Sequence, residues 1–253
     1  MGVSPIKINK RTEEAFYLPG GDNIGCLLVH GFTGTPGELE PLGKFLNNNG
    51  YSVYAPLLSG HGTTPEDLAV TTKDQILNSA RKGLKQLRHC NKVIVMGLSM
   101  GGLISGIIAK ENKSRVKGLV LMGTPIYLSN RMAYFAKFLK YVKPYVEKVD
   151  SKSYSITPTG YDKTPVSGVV ELLKLRHEFL VSINKIEVPT LVVQGMKDGT
   201  VKKESGQYIF ENLKVEDKKL LELEKSKHIV TLDVERDLMF EKISTFLKGS
   251  NLD

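Results

Sequence analysis

Cysteine is scarce in this chain, with two residues among 253. Cys26 lies in the apolar run 24–29, where we expect a small buried side chain, and Cys90 ends a helix-like stretch as a passive thiol. No cysteine and histidine have the spacing of a zinc site. The sequence therefore predicts neither a disulfide nor a structural metal, which is typical of a reducing compartment.

Long apolar runs are absent as well. No stretch is long enough to span a bilayer, and residues 1–7 lack the apolar centre of a signal peptide. An N-terminal Met-Gly favours myristoylation only with Ser or Thr at the sixth position, where this chain has Ile6. We therefore expect a cytoplasmic protein without stable membrane insertion.

Dense runs of positive charge are also missing, although the net charge is +8. The lysines are spread along the whole chain, and local charged runs such as 216–219 mix both signs. No Arg-rich segment with interleaved aromatic residues, which would indicate nucleic-acid binding, is found. The charge therefore indicates a solvated, mildly basic surface and no nucleic-acid partner.

The chain does contain a regular alternation of strand-like and helix-like segments. Its length and its 41% of hydrophobic residues suit one α/β domain with a sizeable core. Strands are predicted at 24–30, 51–55, 92–96, 116–122, 189–194 and 219–223, with an edge strand at 13–18. Helices are predicted at 37–49, 67–88 and 234–247. This order predicts an α/β fold with a mostly parallel central sheet flanked by helices.

Residues 126–186 interrupt the alternation, because they contain no clear strand. Two helix-like stretches, 133–142 and 169–183, enclose a polar stretch that includes Ser151 and Ser153. Ligands bind beyond the carboxyl ends of parallel strands, so we expect a small helical cap over the site, the alternative being ordinary surface helices. The predicted organisation is a core of 1–125, a cap of 126–186 and a second core part of 187–253.

The most informative motif is Gly97-Leu98-Ser99-Met100-Gly101, which follows a β-branched apolar run and precedes a helix-like segment. A G-x-S-x-G sequence between a strand and a helix is the nucleophile elbow of α/β hydrolases. The serine sits on a sharp, strained turn, and its neighbours two residues away must be small to avoid the flanking strand and helix. The motif therefore predicts Ser99 as a nucleophile.

A serine nucleophile needs a base and an acid that orients the base, and in this fold they follow in the order acid, then histidine. Two histidines follow the elbow. His228 comes just after a predicted strand, whereas His177 lies inside a predicted helix. Asp198 lies just past the end of the strand 189–194, before a turn-forming glycine, and is the predicted acid. The other aspartates lie in the insertion (Asp150, Asp162) or in and beside the last helix (Asp233, Asp237).

Ester hydrolysis also needs an oxyanion hole, which two backbone N–H groups usually provide. One comes from the residue after the nucleophile, here Met100, and the other from the loop after an early strand, where Phe32 is the predicted donor. We expect His30 to hold this loop by a hydrogen bond and His61 to shape a neighbouring loop. His89, at a helix end, is expected to be a polar cap.

Four stretches together carry a family resemblance: 28–36 (LVHGFTGTP), 58–62 (LSGHG), 97–102 (GLSMGG) and 194–198 (QGMKD). The chain resembles the small bacterial carboxylesterases and monoacylglycerol lipases of the α/β-hydrolase fold. The resemblance covers nearly the whole chain and is weakest across 126–186. It implies a catalytic triad of Ser99, Asp198 and His228 and an oxyanion hole made by the amides of Phe32 and Met100. Ser226 agrees with the small residue that the family has shortly before its histidine.

We therefore expect a serine hydrolase of short- to medium-chain acyl esters or monoacylglycerols that uses no metal or organic cofactor. Hydroxycinnamoyl esters are the second expected substrate class. Other chemistry of this fold (C–C bond hydrolysis, amide hydrolysis, acyl transfer) and a binding protein on a hydrolase scaffold remain alternatives. Four cap aromatics either line an acyl tunnel or pack the cap on the core: Tyr134, Phe135, Phe138 and Tyr141.

Overall fold

The computed structural model describes residues 13–148 and 154–249. The expectations for residues 1–7 and for Asp150, Ser151 and Ser153 fall outside these ranges. Within the described ranges, no helix is both long enough and apolar enough to cross a membrane.

The described chain alternates strands and helices. The strands are β1 (Phe16–Leu18), β2 (Gly21–Val29), β3 (Tyr51–Ala55), β4 (Lys92–Leu98), β5 (Val116–Met122), β6 (Tyr145–Glu147), β7 (Lys163–Pro165), β8 (Thr190–Gly195) and β9 (Lys218–Leu223). The α-helices are α1 (Glu40–Asn48), α2 (Pro65–Val70), α3 (Lys73–Gln86), α4 (Met100–Glu111), α5 (Ala136–Leu139), α6 (Val166–Ser182), α7 (Glu204–Asn212) and α8 (Arg236–Gly249). Short 3-10 turns lie at Pro36–Glu38, Arg131–Phe135, Ile183–Lys185 and Val230–Leu232.

Seven strands form one sheet in the order β1-β3-β2-β4-β5-β8-β9. All neighbours are parallel except β1, which runs antiparallel to β3 at the edge. This arrangement agrees with the predicted mostly parallel sheet. Because all the parallel strands end at the same edge, the loops after β2, β4, β8 and β9 come together there, and those loops carry the predicted site residues.

Two apolar layers hold the helices on the sheet. Successive strand residues alternate between them, so Leu27 and Val29 face one layer whereas Cys26 and Leu28 face the other. The first layer packs against α3, α4, α6 and α7, and the second packs against α1 and α8. Cys26 and Cys90 are both buried, and neither forms a disulfide. The sheet is thus covered on both faces, as parallel sheets require.

The helix predicted at 67–88 is two helices, α2 and α3. Their break lies at Thr71 and Thr72, where Thr72 adopts an extended backbone and its hydroxyl accepts a hydrogen bond from the Gln75 amide. The Gln75 side chain accepts a bond from the Thr72 amide in return, completing a capping box. The apolar spacing of residues 76, 80, 84 and 87 does not mark where a helix begins. The start signal is the Thr-x-x-Gln sequence at residues 72–75.

The segment 126–186 contains more than helices. It includes the antiparallel pair β6–β7, which the sequence did not predict, and α6 contributes Leu172, Leu175 and Phe179 to the core of the sheet. Tyr134, Phe135, Phe138 and Tyr141 expose 41%, 57%, 72% and 80% of their surface, so these four aromatics do not pack the cap on the core. The division into core and cap at 126 and 186 stays a prediction.

Candidate active site

Ser99 occupies a sharp turn between β4 and α4, as the G-x-S-x-G motif predicts. Its backbone has φ +54° and ψ −121°, a conformation that residues other than glycine rarely adopt. A Cβ on Gly101 would lie 2.0 Å from the carbonyl oxygen of Val29, and one on Gly97 would lie 2.1 Å from that of Gly101. Only glycine fits at both positions, which lets β2, β4 and α4 meet closely enough to project the serine.

The structure brings Ser99, His228 and Asp198 into one hydrogen-bonded chain. Nε2 of His228 lies 2.9 Å from Oγ of Ser99, and Nδ1 of His228 lies 2.7 Å from Oδ2 of Asp198. Asp198 follows β8 and His228 follows β9, so two neighbouring strand ends supply them. Both contacts are within ordinary hydrogen-bond distance. The imidazole is therefore placed to accept the serine proton while the carboxylate holds its other nitrogen.

Asp198 is held as a carboxylate by its surroundings. Its Oδ1 accepts hydrogen bonds from the amides of Thr200 and Val201, each at 2.8 Å, and its side chain is fully shielded from solvent. Burial favours the neutral acid, but the charge of His228 and these hydrogen bonds outweigh it and lower the pKa of Asp198. The turn Lys197–Val201 thus fixes a negative charge beside the imidazole.

The same two effects shift the pKa of His228 in the opposite direction. Burial disfavours its charged form, but the negative charge of Asp198 and the hydrogen bond to it outweigh burial and raise the pKa of His228 above 6.5. The imidazolium that forms when His228 takes a proton is therefore stabilised in place.

The two predicted oxyanion amides belong to Met100, which follows Ser99 in the chain, and to Phe32, whose neighbour Gly31 lies close to Ser99. Met100 is the first residue of α4, where backbone N–H groups have no carbonyl partner within the helix. Phe32 follows Gly31, and a Cβ on Gly31 would lie 3.3 Å from the Cβ of Ser99. Among the residues that the structure describes, the Phe32 amide makes no backbone hydrogen bond. Both N–H groups are thus available next to the serine.

His30 controls the orientation of the Phe32 amide. The Leu58 amide donates to Nε2 of His30 at 3.1 Å, so the neutral ring carries its proton on Nδ1, which donates to the carbonyl oxygen of Gly31 at 2.9 Å. That carbonyl shares a trans peptide plane with the Phe32 N–H, which therefore points the opposite way. Burial holds the pKa of His30 well below 6.5 and keeps this donor pattern. These contacts agree with the expected loop-holding role.

His61 is also buried and neutral. Its Nδ1 donates to the carbonyl oxygen of Ser59 at 3.0 Å, and its ring meets that of His30 edge-on with centroids 5.0 Å apart. Burial lowers the pKa of His61 to about 4. Neither His30 nor His61 contacts Ser99 through a hydrogen bond within the described residues, in agreement with loop-shaping roles.

Two acidic residues that the sequence reading did not assign hold the loop that carries His228. The Lys227 amide donates to Oδ2 of Asp233 at 2.7 Å. The Ser226 hydroxyl and the Lys225 amide donate to Oε2 of Glu235 at 2.7 and 2.8 Å. Acidic residues just before a helix indicate an interaction with that helix's own N-terminus, so their position before α8 does not point to the amides of residues 225 and 227.

The remaining candidates lie apart from this chain of hydrogen bonds. His177 on α6, Asp162 and Asp237 are exposed. His89 does not cap a helix end as expected, because its Nε2 forms a hydrogen bond with the Tyr17 hydroxyl at 3.2 Å. Within residues 13–148 and 154–249, no group of three or more His, Cys, Asp or Glu side chains could hold a metal ion.

Comparisons with known proteins place this geometry in a family. Residues 24–235 match the profile of the family described as "Serine aminopeptidase, S33". The chain is 31% identical to a carboxylesterase of Bacillus subtilis (strain 168), covering 94% of this chain and 97% of that protein. It is 30% identical to a thermostable monoacylglycerol lipase of Bacillus sp. (strain H-257), covering 92% and 93%.

A solved structure from work on two metagenome-derived lipolytic enzymes is similar along nearly its whole length. It has a TM-score of 0.88 and 27% identity, covering 93% of this chain and 97% of that one. The resemblance and the fold predicted from the sequence are thereby confirmed. With a matching profile over 24–235 and two relatives at 30% identity or more over nearly their full lengths, this chain belongs to the serine aminopeptidase S33 family of α/β hydrolases.

Proposed function

We propose that this protein is a serine hydrolase that cleaves short- to medium-chain acyl esters or monoacylglycerols through an acyl-enzyme intermediate. The observation that carries the proposal is the hydrogen-bonded chain from Asp198 through His228 to Ser99. The named activities of the two Bacillus relatives support the reaction class, an enzyme that hydrolyses carboxylic esters.

Acylation begins when Oγ of Ser99 attacks the ester carbonyl carbon and Nε2 of His228 takes the serine proton. The carbonyl π electrons move onto oxygen, which accepts hydrogen bonds from the Phe32 and Met100 amides. The tetrahedral intermediate then collapses, the bond to the alcohol oxygen breaks, and His228 delivers its proton to that oxygen. The products of this half-reaction are the free alcohol and an acyl ester on Ser99.

Deacylation repeats the same steps with water. His228 takes a proton from a water molecule, whose oxygen attacks the acyl carbonyl carbon, and the same two amides stabilise the oxyanion. Collapse breaks the bond to Oγ of Ser99, and His228 returns the proton to the serine. Asp198 holds the imidazole in the required tautomer and stabilises the imidazolium in both halves.

Amide hydrolysis is the second candidate, because the family is described as a serine aminopeptidase. The same three residues are able to act on either substrate, since the leaving amine takes its proton from His228 as an alcohol does. Hydroxycinnamoyl esters remain the alternative acyl class. A cytoplasmic location and action on a small ester or lipid substrate remain parts of the proposal.

The test is hydrolysis of p-nitrophenyl esters from acetate to palmitate and of monoacylglycerols, with Ser99→Ala beside the wild type. We expect activity that peaks at one chain length and is lost in the variant. Amino-acid p-nitroanilides and methyl ferulate test the two alternatives. Labelling of Ser99 by a fluorophosphonate without turnover of any ester or anilide would sink the hydrolase assignment and favour a binding protein.

A further inference from the structure

Thr33, next to the proposed oxyanion donor Phe32, has a strained backbone. Its φ is +61°, in the left-handed region, where a β-branched residue is a genuine outlier. Such a conformation is unfavourable and persists only where the surroundings impose it. Residues 30–35, the oxyanion loop, therefore need an external support to keep Thr33 and the preceding peptide in place.

That support comes from residues 159–161 of the predicted cap, which we call the strap. The Tyr161 amide donates to the carbonyl oxygen of Thr33 at 3.0 Å. Gly160 has φ +120°, and a Cβ there would lie 2.1 Å from the same oxygen. The hydroxyl groups of Thr159 and Thr35 form a further hydrogen bond between the strap and the loop. The strap thus lies directly on the strained residue.

Tyr161 also contacts the oxyanion loop indirectly, through the neighbouring loop that contains His61. Its hydroxyl donates to the Gly60 carbonyl oxygen at 2.8 Å and accepts from the Thr63 amide at 3.1 Å. Its ring is stacked on that of His61, with centroids 6.5 Å apart and an interplanar angle of 12°. His61 in turn contacts His30, which holds the Gly31 carbonyl oxygen in the Phe32 peptide plane.

We propose that Gly160 and Tyr161 are positioning residues that set the orientation of the Phe32 amide, so that one half of the oxyanion hole depends on a docked cap strap. The inference rests on the proposed function in that it takes the Phe32 amide as an oxyanion donor. Hydrogen bonds weaken steeply as their angle departs from linear. A strap that is displaced or loosened therefore lowers the stabilisation of the tetrahedral intermediate without removing any group of the triad.

The main test is Gly160→Ala, which places a methyl group against the Thr33 carbonyl oxygen. Complete loss of one oxyanion donor costs about 10²–10³ in kcat, so a misaligned donor should cost about 10–100-fold. Because the defect acts in the transition state, we expect KM to stay within about threefold. The second-order rate of Ser99 phosphonylation by a fluorophosphonate should fall by a similar factor, since that reaction also builds negative charge on an oxygen.

A second variant, Tyr161→Phe, keeps the ring on His61 and removes the hydroxyl bonds. The Tyr161 amide still holds Thr33 in this variant, so we expect a smaller decrease of about fivefold in the same two rates. This variant carries the test if Gly160→Ala does not fold. Tyr17→Phe and Gly249→Ala are matched controls, because Tyr17 bonds to His89 far from the site and a Cβ on Gly249 meets no atom within 4 Å. Thermal unfolding of every variant reports general destabilisation.

The outcomes separate the alternatives. Rates within twofold of the wild type for Gly160→Ala and Tyr161→Phe would overturn the inference. A rise in KM with unchanged kcat and an unchanged phosphonylation rate would also overturn it, because the strap would then act only on ground-state binding. If the wild type hydrolyses no ester but reacts with the fluorophosphonate, the proposed function fails, and the phosphonylation rates of the variants still decide the inference.

Discussion

Oδ2 of Asp198 lies 2.7 Å from Nδ1 of His228, although the two residues belong to different loops. The pair shifts both groups: the pKa of His228 is raised and that of Asp198 is lowered, in each case against the effect of burial. An acid fixed on one nitrogen of the imidazole leaves the other free to serve Ser99.

Replacing Asp198 with Asn should lower kcat by about 10⁴, because the amide favours the wrong imidazole tautomer. Activity requires neutral His228, so the raised pKa places the acid limb of kcat/KM above pH 6.5 in the wild type. Removing the carboxylate charge lowers that pKa, and the limb should move to lower pH. The measurement is the pH profile of kcat/KM on a soluble p-nitrophenyl ester. An unmoved limb would show that His228 is not the titrating base.

Replacing Gly101 with Ala should strongly destabilise the fold, because the new Cβ would lie 2.0 Å from the Val29 carbonyl oxygen in β2. Overpacking of this kind costs about 1–3 kcal/mol, and a backbone atom cannot move aside as a side chain does. Urea unfolding measures the free-energy change. Gly249→Ala is the control, since it meets no atom within 4 Å, and equal stability of the two variants would contradict the structure.

The buried histidines should make the fold sensitive to mild acid. Unfolded His61 binds a proton below about pH 6.5, whereas the folded residue does so only near pH 4. Its contribution is complete above pH 6.5 and is lost as the pH falls from 6.5 to 4, by about 3 kcal/mol in all. His30 acts in the same direction. Urea midpoints at pH 7 and pH 5 should differ less in His61→Asn than in the wild type, and parallel changes would refute the role of His61.

Asp233 and Asp237 allow a matched comparison near the His228 loop. Asp233 is buried and accepts the Lys227 amide, whereas the Asp237 side chain is 83% exposed. Asp233→Asn weakens a charge-assisted hydrogen bond, so we expect a loss of about 1–2 kcal/mol in stability and a lower kcat as the His228 loop loosens. Asp237→Asn should change neither. Equal kcat values in the two variants would exclude a supporting role for Asp233.

Much of the site follows from local sequence patterns. Gly97 and Gly101 identify the elbow because a side chain at either position would collide with neighbouring backbone atoms. Asp198 and His228 follow strands that end at the same edge of the sheet. The carboxyl ends of parallel strands lie at the same edge of the sheet, regardless of the segments that connect the strands. Chain order and strand position were therefore enough to predict the three residues that the structure brings together.

The parts that were not predicted depend on contacts between distant segments. The break at Thr72 was readable as a Thr-x-x-Gln box, but the β6–β7 pair consists of two three-residue strands without an apolar pattern. Support of the His228 loop by Glu235, and of Thr33 by Tyr161, involves backbone amides, which leave no trace in residue type.

The sequence by itself determined the parallel α/β sheet, the elbow and the order of nucleophile, acid and base, because each rests on local periodicity or on a short steric motif. The tertiary structure alone decided how the oxyanion loop is held, why both His30 and His61 are neutral, and where the cap aromatics lie. Those properties arise from burial and from hydrogen bonds between segments up to 128 residues apart, such as Thr33 and Tyr161, which no local pattern encodes.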